Sequence, residues 1–167
     1  MLDRFNTNPT QLTGLLSFTA ATIACLIAAR RSGPRDAPTW KLLGLMNCLF
    51  LIETFSELRY QIENIMIAIL KANDWYAQRR EVQGSIDVLL ATAFIFIALF
   101  LFWRHAAGRG ARVAASMTIA VLAIFTMETV SLHAVDAVFY HPIGPILFIG
   151  WLWAIAAAGI CLAATQR

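Results

Sequence analysis

Glu53, Glu57, His133 and Asp136 are the side chains of this sequence that could do chemistry together. A helix presents an i, i+4 pair of glutamates, or an i, i+3 pair of histidine and aspartate, as two ligands aimed at one point. Carboxylate and imidazole sets of this kind hold iron, manganese or zinc between the helices of a bundle. Carboxylate-bridged di-iron bundles show Glu-x-x-His twice. This chain shows it nowhere, and His133-x-x-Asp136 is the nearest match, which weighs against a two-metal centre.

These residues belong to longer stripes. Glu53, Glu57, Tyr60 and Asn64 follow the spacing i, i+4, i+7, i+11, which places them on one helix face, with Gln61 beside them. Thr129, His133, Asp136 and Tyr140 repeat the spacing, with Glu128 on the shoulder of that face, and Tyr76, Arg80, Gln83 and Asp87 repeat it once more. Tyr60, Arg80, Asp87, Glu128 and Tyr140 are therefore expected as hydrogen-bond partners or proton carriers around the site. The competing structural reading ties the carboxylates into ion pairs with Arg59, Arg79 and Arg80 that merely fix how the helices associate.

The elements that must position these stripes are membrane helices. Of the 167 residues 59% are hydrophobic and only 14% charged, with a mean hydropathy of +0.67; soluble domains carry roughly a quarter charged residues. Apolar runs long enough for about 30 Å of hydrocarbon cover about 10–30, 40–62, 84–104, 112–136 and 143–164. The expected fold is an all-α, polytopic bundle of about five spans in a single membrane domain. From Trp40 to Ala72 no residue breaks a helix, and from Trp75 to His105 only Gly84 interrupts. The second and third helices are thus expected as rods of roughly 45 to 50 Å that form a hairpin projecting outwards. Alternatively, residues 65–70 lie flat at the interface, with Trp75 and Tyr76 at headgroup level.

The arginines set the orientation. Arg30, Arg31, Arg35 and Lys41 follow the first span, and Arg104, Arg109 and Arg112 follow the third. Both loops are expected in the cytoplasm, which puts the N-terminus outside, in the periplasm of a bacterium, and the C-terminus inside. The net charge of +3 is spent at these helix ends, so a nucleic-acid partner is not expected. All three stripes then fall at the outer end, where turning inwards costs least and forms a polar chamber. The fifth helix has no ionisable residue, and the first offers only groups such as Gln11, Thr13 and Ser17, so both read as walls. Trp151 and Trp153 read as packing or lipid-facing residues, and Cys25, Cys48 and Cys161 as small buried ones.

Asn8-Pro9 reads as an N-cap and first-turn proline, and the first span as a retained helix rather than a signal peptide. Neither G-x-S-x-G nor H-E-x-x-H occurs. The leading functional expectation is a membrane oxidoreductase or other metal-dependent enzyme with its site near the outer face. The alternatives are a non-catalytic accessory subunit of a larger membrane complex, or a proton or cation transporter acting as a homo-oligomer. Topology reporters placed after Asp36 and Gly110 should give cytoplasmic signals, and one after Asp74 an external signal. A cytoplasmic signal at Asp74 would overturn the outward-facing chamber.

Overall fold

The computed structural model describes residues 8–57, 64, 65, 68, 69, 71, 72, 89, 93, 108–130 and 137–166, and the chain is mostly helical. Its principal elements are α1 (Pro9–Arg31), α2 (Ala37–Ser56), α3 (Arg109–Val130) and α4 (Phe148–Thr165), with a two-stranded hairpin, β1 (Pro142–Ile143) and β2 (Ile146–Leu147), leading into α4. Three of these helices, α1, α3 and α4, are long and apolar enough to cross a membrane. The third expected span lies outside the described residues apart from Leu89 and Ala93, both helical.

Local chemistry explains where the helices start and stop. Asn8 caps α1: its side-chain oxygen accepts the Gln11 N–H at 2.7 Å, and Pro9 fills the first turn, where no amide proton is required. Arg30 and Arg31 occupy the last turn, where cations oppose the negative end of the helix dipole. The Asp36 and Ala37 amides both donate to the Gly33 carbonyl, which fixes the turn into α2.

Two expectations need correction. The expected rod from Trp40 to Ala72 is interrupted, because α2 ends at Ser56 and Glu57 adopts a left-handed backbone with φ 53° and ψ 36°. The expected first turn of the fifth span is instead the β1–β2 hairpin, with Pro142 paired to Leu147 and Ile143 to Ile146. The turn residues are Gly144, at φ +68°, and Pro145. Positive φ at the first of two turn residues suits a tight hairpin, whereas proline inside a helix would remove a hydrogen bond and clash with the preceding turn.

Among the described residues, contacts between helices link these four into one set. α1 lies between α2 and α4, and α3 packs on α4 and, more lightly, on α2. Gln11 meets Thr54, and Gly44 approaches Cys25 and Leu26, so α1 and α2 are antiparallel. Thr10 faces Gly150 and Gly14 faces Trp153, so α4 runs with α1. Gly110 meets Ala163 and Gly159 meets Met117, so α3 runs against α4 and therefore with α2.

The core has two layers. At one end small residues predominate, with Ala21, Cys25, Ala28, Ala111, Ala114, Ala157 and Ala163 buried together. At the other, Phe18, Phe50, Phe125 and Trp153 contribute one aromatic ring from each helix. The outward faces carry large apolar side chains such as Leu16, Phe55, Ile155 and Leu162, each more than three-fifths exposed. Such faces suit lipid and would be a liability in water. The three cysteines form no disulfide.

Small residues permit the closest helix approach. A Cβ at Gly110 would lie 2.5 Å from the backbone carbonyl oxygen of Ala163. Gly110→Ala gains at most about 1 kcal/mol of helix propensity, whereas overpacking against rigid backbone costs about 1–3 kcal/mol. The variant should therefore unfold at a lower temperature in detergent. Gly33→Ala, where nothing lies within 4 Å, should leave the transition where it is or raise it. A raised transition for Gly110→Ala would refute this packing.

Candidate functional site

A half-open cavity of ≈ 50 Å³ lies at the aromatic end of the bundle. That volume accommodates roughly one or two waters. Every main helix contributes to it: Asn8, Thr10 and Gln11 from the start of α1, Thr54 and Glu57 from the end of α2, Glu128 from α3, and Ile149 and Trp153 from α4. Tyr140 and Leu147 close it from the segment that precedes α4.

Hydrogen bonds hold the walls in register. The Gln11 amide Nε2 donates to the Thr54 carbonyl at 3.1 Å. That carbonyl lies in the last turn of α2, where the helix itself supplies no partner. The Leu147 N–H donates to Thr10 Oγ1 at 2.9 Å and thereby pins the β1–β2 hairpin to α1. The Phe148 N–H donates to the His141 carbonyl at 2.9 Å, closing the base of the hairpin.

The chemistry of the cavity centres on Glu128, whose side chain is only 5% exposed. Tyr140 Oη donates to its Oε1 at 3.0 Å. The bond gives this buried carboxyl a partner, which helps offset the cost of its desolvation. Glu57, by contrast, is exposed at the mouth, and Glu53 is half-buried one turn earlier. The Glu57 N–H still donates to the Glu53 carbonyl at 2.7 Å, so the two glutamates stay one turn apart although the helix ends between them.

Of the residues expected from sequence, the fold brings Glu57, Glu128 and Tyr140 to one cavity, with Glu53 in the adjoining turn. His133, Asp136, Tyr60, Arg80 and Asp87 lie outside the described residues. Among the described residues, no three His, Cys, Asp or Glu side chains group closely enough to hold a metal ion. The expectation that α1 and α4 serve only as walls needs refinement. α1 supplies Asn8, Thr10 and Gln11, and α4 supplies Trp153, which is 2% exposed and forms part of the cavity lining. The signal for α1 was present in its first turn, where every polar group falls at the level of Thr54 and Glu57.

No family model, no curated protein and no solved structure matches the chain, so the chemistry of the site itself carries the functional argument.

Glu57 is the residue whose local cost is most informative. Helix C-termini that adopt the left-handed conformation usually place glycine there, since other residues meet a steric penalty of about 1 kcal/mol or more. Glu57→Gly should therefore raise stability by about 1 kcal/mol in thermal or denaturant unfolding. Tyr140→Phe should lower it by about 1–3 kcal/mol, because it removes a hydrogen bond from a buried carboxylate. Loss of stability in Glu57→Gly would show that the carboxylate serves the fold and not a ligand.

Proposed function

We propose that this chain is a multi-pass membrane protein of about five spans, with its N-terminus outside, that binds a small polar species in the chamber at the outer end of its bundle. The apolar character of α1, α3 and α4 supports the membrane assignment. Five spans are favoured because α2 and α3 run the same way, so the chain connecting Glu57 to Gly108 has to return the length of the bundle. The orientation is argued from Arg30, Arg31, Arg35, Lys41, Arg109 and Arg112, which gather at the end opposite the cavity.

The observation that carries the reading is Glu128. Its carboxylate is buried in a helix apolar enough to cross a membrane, bonded to Tyr140 and set against a water-sized cavity. An ionisable group at such a depth is costly, which favours a ligand or proton that it serves. The first ligand class is a metal ion, iron, manganese or zinc, held by Glu53 and Glu57 together with His133 and Asp136. Glu128 and Tyr140 would then orient the ligands and carry protons, as expected of a metal-dependent membrane enzyme or oxidoreductase.

Elemental analysis of the protein purified in mild detergent tests this, with the wild type beside Glu57→Gln and His133→Ala. The expected result is stoichiometric metal in the wild type and its loss from both variants while the helical signal is retained. A wild type without stoichiometric metal would sink the metal reading.

A further inference from the structure

The end of the bundle opposite the cavity gathers six cations. Arg30 and Arg31 close α1, Arg35 lies in the turn, Lys41 opens α2, and Arg109 and Arg112 open α3. All six are exposed, and among the described residues none of them makes an ion pair. Two chain segments far apart in sequence supply them, yet the fold ties those segments together. The Asp36 carboxylate lies so close to Gly108 that a Cβ there would come within 2.9 Å of Oδ2, and Gly110 abuts Ala163. Ala28, Ala29, Trp40, Leu43, Ala111 and Ala163 then form one buried layer beneath the charges. The turn between α1 and α2 is itself fixed, since the Asp36 and Ala37 amides share the Gly33 carbonyl and the Trp40 amide donates to the Asp36 carbonyl.

We infer that this basic end is a binding site for the headgroups of anionic phospholipids, a role that rests on the membrane reading above. Orientation during insertion needs only that the cations lie on one side. It does not need two segments held rigidly together with their charges exposed. The neighbouring surface decides between a lipid and any other phosphate. Leu26, Ile27, Leu42 and Leu45 stand two-fifths or more exposed on α1 and α2 next to the cations. A phospholipid uses both features, with its phosphate on the arginines and its chains along the leucines. A free phosphate or a nucleic acid leaves the apolar flank unused. Clusters of four to eight basic residues flanking membrane helices have this character, and each contributes roughly fivefold to affinity for an anionic surface at low salt.

The test is native mass spectrometry of the full chain released from nanodiscs containing phosphatidylcholine and phosphatidylglycerol in equal amounts. The wild type should retain phosphatidylglycerol in at least roughly tenfold preference. Arg30→Gln/Arg31→Gln and Arg109→Gln/Arg112→Gln should each largely abolish the preference. Because removing arginines can also alter insertion, Arg30→Lys/Arg31→Lys provides the check: it keeps charge and orientation and should keep the preference. Equal retention of the two lipids by the wild type, an undiminished preference in both glutamine variants, or displacement by excess inorganic phosphate would overturn the inference. Alkaline carbonate washing of native membranes separates the two levels of the argument. A protein that stays in the membrane but shows no lipid preference defeats this inference alone, whereas release into the supernatant defeats the membrane reading.

Discussion

Four rings meeting at one level set the geometry on which the rest of the bundle depends. Phe18 lies 5.7 Å from Phe50, 5.8 Å from Phe125 and 5.8 Å from Trp153, while Phe125 stacks on Phe50 at 5.2 Å and on Trp153 at 5.6 Å. Each ring comes from a different helix, so the cluster fixes all four helix spacings at once. Between helices in lipid the hydrophobic driving force largely vanishes and close packing has to replace it. Aromatic pairs supply about 0.5–1.5 kcal/mol each beyond the area they bury. One glycine follows from this cluster. Gly14 is required because a Cβ there would lie 2.8 Å from the Trp153 ring, which cannot withdraw without unstacking from Phe125. Trp153 also lines the cavity, so the packing core and the floor of the site share a side chain.

On either side of this layer the chain is organised by opposite electrostatic demands. The cavity end holds Glu53, Glu57 and Glu128, and the other end holds the exposed arginines and Lys41. Several hydroxyl groups along the helices are handled locally, although the buried Thr22 and Thr54 hydroxyls are not. Thr13, Ser56, Ser116, Thr118 and Thr126 each donate to the carbonyl four residues earlier, which removes the need for water. The Glu128 carboxyl can only be reached by a donor, and one comes from Tyr140, beyond the end of α3. The carboxylate thus depends on how the chain returns towards α4, and the placement of Tyr140 depends in turn on the hairpin that Thr10 anchors.

What was legible in the sequence follows the strength of each physical signal. Three of the apolar runs and the Asn8-Pro9 cap appear among the described residues, because each is enforced by a large penalty for the alternative. The break at Glu57 was not legible, since glutamate is a good helix former and only the backbone reveals its left-handed conformation. The hairpin before α4 was signalled by Pro142, Gly144 and Pro145, but the surrounding hydrophobicity of Ile143, Ile146 and Leu147 outweighed it in a reading by apolar runs. Glu128 was ranked below the stripe of Thr129, His133, Asp136 and Tyr140 because spacing alone put it on the shoulder. Its pairing with Tyr140 spans twelve residues and involves a turn, which helical periodicity does not describe. Gln11 and Thr10 were undervalued for a different reason: a neutral side chain gives no sign of function until its neighbours are known.

Asn47 bears on how deep the cavity reaches. It is fully buried on α2, at the boundary between the aromatic layer and the alanine layer. Its amide nitrogen donates to the Leu43 carbonyl at 2.8 Å and to Thr118 Oγ1 at 3.3 Å, and Thr118 donates onwards to the Ala114 carbonyl at 2.9 Å. The two donors thus end on protein and link α2 to α3, while Asn47 Oδ1 stays buried with no hydrogen-bond partner among the described residues. Phe50 and Phe125 lie between it and the cavity, and small apolar side chains lie between it and the basic end. Among the described residues the ring stack therefore stands between the cavity and the alanine layer.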